Sequence, residues 1–169
     1  MSKGFTLVEL LVVIAIIGVL ATLVLLQLGT ARARARDTKR IADVNQIRTA
    51  VEQYFEDHNG NYPTDLYSTD DPLAPKYITR MPYDPLDANK KYNYAYHKTG
   101  DLVDGYQIWA NLEQNAAAIS AAAHIDSTQG GWTAGDGATI NAGDQAGLDC
   151  STQSSTNPNQ CIYDQGVLP

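Results

Sequence analysis

The chain has 169 residues and a formal net charge of −7, a size that suits one membrane helix and one small globular domain. Its acidic balance excludes nucleic acid as an expected partner, because an acidic domain repels phosphate. The charge is unevenly divided. Six basic residues and two acids lie between Arg32 and Arg48, whereas sixteen acids and five basic residues follow from Glu52 onward. Neighbouring copies of such a chain would attract each other when stacked with an axial stagger.

A run without charge extends from Leu10 to Leu26. It is about long enough to span a bilayer, which requires roughly 17–25 apolar residues. One carboxylate, Glu9, lies at its N-terminal edge, and an ionisable group in a membrane segment by default indicates function. An ordinary secretory signal cut near residues 31–33 and a simple membrane anchor are the alternatives, but neither accounts for Glu9.

The residues Gly4-Phe5-Thr6-Leu7-Val8-Glu9 resemble the class III signal of type IV pilins and type II secretion pseudopilins. The resemblance implies that a membrane-embedded prepilin peptidase cuts after Gly4 and N-methylates Phe5, the new N-terminus. Glycine at the cut gives such a peptidase close access to the backbone. The resemblance also implies that Glu9 acts in assembly, where it would meet the Phe5 ammonium of a neighbouring subunit and each charge would compensate the other.

This resemblance further implies a structural subunit of a type IV pilus-like filament. The precursor would be a single-pass protein of the cell membrane, and the assembled filament would be extracellular. Its partners would be further copies of itself, the prepilin peptidase, and an assembly platform with an ATPase acting in trans. A pseudopilin of a type II secretion system is the alternative within the family. A membrane-anchored extracellular binding protein or enzyme is the alternative from another class.

We predict one helix from about Phe5 to Asn59, because no strong helix breaker interrupts that range. Its first half is apolar all round, and its second half carries an apolar stripe that a globular domain must cover. The stripe residues recur every three or four positions: Ile41, Val44, Ile47, Val51 and Tyr54. Arg48 and Glu52 are expected to form an i,i+4 pair. Many pilins have a proline where this chain has Leu26, so the helix has less reason to kink.

The head is predicted to be a small antiparallel β-sheet packed on this stripe, which gives an α+β fold. The segment 81–85 is a proline-rich turn that resembles the one preceding the family's sheet. Residues 92–96 and 106–112 alternate with period two, which indicates a hairpin. Turn-forming residues lie between these two stretches, at 99–101 and 104–105.

The C-terminal region is predicted to be rich in loops and to drape over the sheet, since small and polar residues dominate it. Its alanine-rich stretch, 115–124, could be a short helix or a connector. Cys150 and Cys161 bracket ten residues. Outside a cell such a pair is expected to form a disulfide, which would contribute about 2–4 kcal/mol.

The sequence predicts no catalytic site, no metal and no cofactor. Energy for assembly must come from another protein, because no glycine-rich phosphate loop is present. The three histidines lie on separate elements and are interpreted as solvated: His58, His97 and His124. Acidic turns could ligate calcium, although none matches an EF-hand. These turns are Asp65 with Asp70-Asp71, and the Ala-Gly-Asp repeats at 134–136 and 142–144.

The predicted organisation therefore has five parts. They are a leader peptide (1–4), a transmembrane or filament-core half-helix (5–28), an amphipathic half-helix (29–59), a head with a β-hairpin (60–113) and a loop-rich C-terminal region with a disulfide (114–169).

Overall fold

A computed structural model describes residues 6–69, 73–114, 125, 131–135 and 162–169, except for the side chain of Leu26. One long helix is followed by a four-stranded sheet in which every pairing is antiparallel. The elements are α1 (Leu7–Asp57), β1 (Asn93–Thr99), β2 (Leu102–Asn111), β3 (Trp132–Gly135) and β4 (Ile162–Val167). The spatial order of the strands is β3-β1-β2-β4. The predicted α+β fold is confirmed.

Helix α1 is continuous from Leu7 to Asp57, with Thr6 as its N-cap. It ends two residues earlier than predicted, because Asn59 adopts a left-handed conformation with φ 55°. Gly60, with φ 81°, then donates its backbone N–H to the Phe55 carbonyl at 3.1 Å. The chain thus turns out of the helix through two residues of positive φ, as is common at helix C-termini.

The main core lies between the apolar stripe of α1 and one face of the sheet. Val44, Ile47 and Val51 on the helix are fully buried, which confirms the predicted stripe. The facing side chains come from alternate positions of β1 and β2, including the fully buried Tyr94 and Tyr106. Their hydroxyls remain hydrogen-bonded, so these tyrosines are tolerated in the core.

The hairpin of β1 and β2 is confirmed, but one of its predicted turns is wrong. The strands are joined at Gly100-Asp101, where Gly100 has φ 65°. Asp104 lies within β2 instead, because the register changes from His97↔Gly105 to Lys98↔Val103 and leaves Asp104 as the extra residue of a bulge.

The C-terminal region supplies both edge strands, which the sequence did not indicate. β3 pairs with β1, and β4 pairs with β2 over six residues. β4 also contacts the helix, since Asn45 donates to the Tyr163 hydroxyl at 3.1 Å. Arg48 donates to Gln165 of β4 at 2.7 Å, so the expected pairing of Arg48 with Glu52 is wrong.

The outer face of the sheet, opposite the helix, is also covered. Gln107 is fully buried and donates from its amide nitrogen to the Ile125 carbonyl at 2.6 Å and to Asp164 at 2.9 Å. The Ile125 N–H donates to the same Asp164 oxygen at 2.8 Å. The predicted draping over the sheet is therefore confirmed at Ile125, whereas the stretch 115–124 lies outside the described residues.

Candidate assembly site

The first half of α1 is an exposed apolar rod. Large side chains such as Leu10, Ile17 and Leu25 are more than half exposed. The helix is long and apolar enough to cross a membrane, and its most apolar stretch is not buried by any other part of the chain that the structure describes. An exposed apolar surface of this extent is unfavourable in water, so it requires lipid or other protein around it.

Glu9 forms a capping box with Thr6 at the beginning of this rod. The Thr6 N–H and hydroxyl donate to one Glu9 oxygen, Oε2, at 2.9 and 2.7 Å. The Glu9 N–H donates back to the Thr6 hydroxyl oxygen at 3.2 Å. The carboxylate therefore also has a local structural role. Thr-x-x-Glu ahead of an apolar run is the sequence signature of this cap, and it could have been recognised.

The two predicted processing residues, Gly4 and Phe5, lie outside the described residues. They directly precede the N-cap Thr6 in the sequence. Cleavage after Gly4 and methylation of Phe5 therefore remain predictions.

A cluster of charged side chains joins the helix to the head where the apolar half ends. We call it the junction cluster, and its members are Arg36, Asp37, Arg40, Asp84 and Glu113. Arg40 is its centre and is 3% exposed. It donates to Asp84 through two nitrogens, at 2.8 and 3.1 Å. It also donates to Asp37 at 2.9 Å and to Glu113 at 2.6 Å.

Asp37 anchors the chain where it leaves β2. Its fully buried carboxylate accepts from the backbone N–H of Glu113 at 2.9 Å and from that of Gln114 at 2.7 Å. Arg36 forms a further ion pair with Glu113. Every charge of the cluster is thus paired, which is the condition under which buried charges are tolerated. The cluster ties the helix to the 81–85 turn and to the end of β2.

The pKa values of two carboxyls of the cluster, those of Glu113 and Asp84, are lowered. Hydrogen bonding to Arg36 is the main cause that lowers the pKa of Glu113. Burial by itself would raise the pKa of Asp84, but hydrogen bonds from Arg40 and from the Leu86 backbone outweigh it. Burial would likewise lower the pKa of Arg40, and the bonds to Asp84 and Glu113 raise it instead. All three groups are charged at neutral pH.

The head should therefore lose stability in acid. The pKa of Glu113 is below its usual 4.5 and that of Asp84 below its usual 3.8. The stability that these carboxylates contribute is complete at pH values above their pKa in the unfolded chain. It is lost as the pH falls through their lowered pKa in the folded protein. Urea midpoints measured from about pH 6 to pH 3 should fall, and less steeply in Glu113→Gln. A midpoint that stays constant or rises toward acid would contradict this.

The junction cluster reduces the positive charge that the stem presents to its surroundings. Arg36 and Arg40 are neutralised inside the subunit, and Lys39 pairs with Asp43 at 3.0 Å. Arg32 and Arg34 remain exposed, and no ion pair joins either to another residue of the part that the structure describes. The attraction expected between the whole basic stem and a neighbouring head is thus limited to fewer charges.

The two described histidines are not simply solvated, so that interpretation was wrong for them. The His58 ring stacks on Tyr54 with centroids 3.6 Å apart, and its Nδ1 lies 2.7 Å from the Tyr54 carbonyl oxygen. His97 pairs with the bulge residue Asp104 at 2.7 Å. His124 lies outside the described residues.

No metal site is formed by the described residues, among which no three His, Cys, Asp or Glu side chains are grouped to hold an ion. Asp65 accepts from the Tyr67 N–H at 2.7 Å in a local turn. The other candidate calcium ligands, Asp70-Asp71 and the aspartates of the Ala-Gly-Asp repeats, lie outside the described residues. So do Cys150 and Cys161, and their disulfide remains a prediction.

Residues 1–25 match the prokaryotic N-terminal methylation motif. In an alignment of 97 residues the chain is 36% identical to the type II secretion system core protein G of Aeromonas hydrophila, covering 50% of this chain and 67% of that protein. The Escherichia coli protein of the same name is 38% identical over 97 residues, 50% of this chain and 66% of that protein. The type IV wide pilus major component of Thermus thermophilus is 48% identical over 58 residues, 34% of this chain and 44% of that protein.

These similarities identify the family. The chain belongs to the type IV pilins and type II secretion pseudopilins. It spans about two thirds of the length of the secretion proteins and less than half of the pilus protein. No solved structure matches it significantly.

Proposed function

We propose that this chain is the structural subunit of a type IV pilus-like filament. The observation that carries the proposal is the unburied apolar half of α1, which continues without interruption into a helix that holds the head. In a membrane precursor, lipid would surround this half. In a filament, the same surface would be covered by the helices of neighbouring copies, so one apolar segment serves both states. The subunit would be structural rather than enzymatic.

Processing prepares the subunit for assembly. A prepilin peptidase would cut after Gly4 and methylate Phe5, and an assembly platform with an ATPase would extract the subunit from the membrane. The division into leader, core half-helix, amphipathic half-helix, head and C-terminal region belongs to this proposal. The precursor would reside in the cell membrane and the filament at the cell surface.

The geometry of Glu9 supports its proposed role in assembly. The Thr6 backbone N–H and the Thr6 hydroxyl both donate to Oε2 of Glu9. A carboxylate offers about four lone-pair sites on two oxygens, so Oε1 can still accept from an ammonium while the helix cap stays intact. The Phe5 ammonium of a neighbouring subunit would be that donor. Such pairing favours insertion of a new subunit in one axial register.

Shearing of cells, followed by mass analysis of the released protein, tests this function. Filament subunits should be released by shear with a mass that lacks residues 1–4 and includes one methyl group. Gly4→Leu should leave the uncut precursor in the membrane and release no protein. Recovery of the wild-type chain only as dispersed membrane monomers would contradict the proposal.

A short secretion pseudopilus is the second candidate filament. The length of the alignments favours it, because identity to the secretion proteins covers 97 residues and reaches the head, whereas identity to the pilus protein covers 58. The additional C-terminal region favours a pilus, since it supplies two more strands to the head. Absence of long surface filaments from wild-type cells, together with a secretion defect in a strain that lacks this chain, would favour the pseudopilus.

A further inference from the structure

The contacts of the head with α1 establish which end of the head lies nearer the apolar rod. Glu113 and Asp84 bind at Arg40, whereas the Tyr106 hydroxyl donates to Glu52 at 2.6 Å. We call the end near residues 32–40 the base of the subunit. The end beyond Glu52 is the top.

The base carries cations that have no ion-pair partner among the residues that the structure describes. Arg32 and Arg34 are exposed, and neither forms an ion pair with any residue in the described ranges. Two residues apart on a helix, they point in directions that differ by about 200°. They can therefore reach two different neighbours. Exposed Lys90 adds positive charge at this end, since its carbonyl accepts from the Asp84 N–H at 3.0 Å.

The top carries acids in the same condition. Glu56 is exposed near the end of α1. Asp101 is exposed in the turn between β1 and β2, which lies beside the helix exit because the Tyr62 N–H donates to the Val103 carbonyl at 3.1 Å. Neither acid forms an ion pair with a residue that the structure describes. Their neighbour Asp57, by contrast, is already paired with Lys76 at 2.9 Å.

We propose that Arg32 and Arg34 at the base of one copy pair with Glu56 and Asp101 at the top of neighbouring copies. This inference rests on the proposed filament function. Residues 34 and 56 are separated by 22 positions of one helix. The partners would therefore be copies displaced by about 33 Å along the axis, at 1.5 Å per residue.

Complementarity of charge at the two ends favours a second copy over a lipid headgroup as the partner. Arginine at the base alone would fit a phosphate surface, but that surface leaves Glu56 and Asp101 without a role. A single exposed ion pair contributes little. Charges repeated at every copy, however, penalise every register in which like charges meet, so they determine how far copies are displaced.

Charge reversal and its rescue test the inference in the full-length chain in cells. The base variant combines Arg32→Glu with Arg34→Glu, and the top variant combines Glu56→Lys with Asp101→Lys. Each should lower the yield of sheared filaments by about tenfold or more, because like charges then meet at every contact. The chain with all four substitutions is complementary again, and its yield should return to within about threefold of wild type.

Two readouts show that any loss arises from assembly. All variants should still lack residues 1–4, and the fluorescence of Trp109 and Trp132 should show unfolding of the head at the wild-type urea concentration. Wild-type yield from both double variants would overturn the inference while leaving the filament function intact. Loss without rescue would also overturn it. A loss that is confined to the base variant and is not rescued by the top substitutions would instead indicate an anionic lipid headgroup as the partner of these arginines. Absence of wild-type filaments would overturn both proposals.

Discussion

Replacement of Arg40 by methionine should lower the free energy of unfolding of the head by about 3–5 kcal/mol. Arg40 is 3% exposed and donates to three carboxylates, those of Asp37, Asp84 and Glu113. Glu113 would retain Arg36, but Asp37 and Asp84 would lose their cation while remaining buried. Removal of one partner from a buried ion pair costs more than the pair contributes, because the remaining charge is desolvated without compensation.

Urea unfolding of the full-length chain in detergent micelles measures this effect through the fluorescence of the two tryptophans of the head, Trp109 in β2 and Trp132 in β3. Lys39→Met is the matched control, because Lys39 lies next to Arg40 on the same helix. Lys39 forms an ion pair with Asp43, but its side chain is 54% exposed. The cost of Lys39→Met should be below about 1 kcal/mol, because the exposed lysine contributes little and Asp43 still accepts from the Tyr92 hydroxyl at 2.7 Å. Equal midpoints for the Arg40→Met and Lys39→Met variants would contradict the structural role of the cluster.

Removal of the Glu9 charge should abolish most filament assembly without preventing cleavage or membrane insertion. Glu9→Gln is the informative variant, because glutamine retains the capping box with Thr6 but cannot pair electrostatically with an ammonium. Glu9→Ala removes both the cap and the charge. Thr6→Ala removes the cap and retains the charge, at a cost of about 1 kcal/mol of helix stability.

Three yields of sheared filament therefore separate the two roles of Glu9. If charge pairing drives assembly, Glu9→Gln and Glu9→Ala should both reduce the yield by about tenfold or more, and Thr6→Ala should remain near wild type. Mass analysis should show that all three chains are cleaved after Gly4. Normal assembly of Glu9→Gln with loss in Thr6→Ala would mean that Glu9 acts through the helix cap alone.

The long helix and the hairpin could be predicted from the sequence because their signals are local. The stripe through Val44, Ile47 and Val51 repeats at helical spacing, and the strands of the hairpin alternate around a glycine turn. The error at Asp104 has a physical cause. Asp-Gly is typical of turns, but the chain already reverses at Gly100, so the second such pair becomes a bulge within β2.

The junction cluster could not be predicted in the same way. Arg40 and Glu113 are 73 residues apart in the chain, and Arg40 and Asp84 are 44 apart. A dense basic segment is usually solvated, so nothing local indicates that Arg40 is buried. Only the folded arrangement of the helix, the turn and the end of β2 shows that Asp84 and Glu113 contact Arg40. The resemblance of the 81–85 turn to the family's segment was the one available signal at Asp84.

The edge strands were missed for a related reason. β3 and β4 are short and lie in a region of small and polar residues, where strand propensity is weak. Their conformation depends on pairing with the hairpin, to which β4 is joined over six residues. Strand formation that depends on such long-range pairing leaves little periodicity in the sequence.

Immunogold electron microscopy of intact cells with antibody to this chain tests the central claim most directly. The filament proposal predicts gold along the length of thin filaments that extend from the cell surface, with none on cells that carry Gly4→Leu. Gold confined to scattered single sites over the membrane, and unchanged by Gly4→Leu, would contradict it.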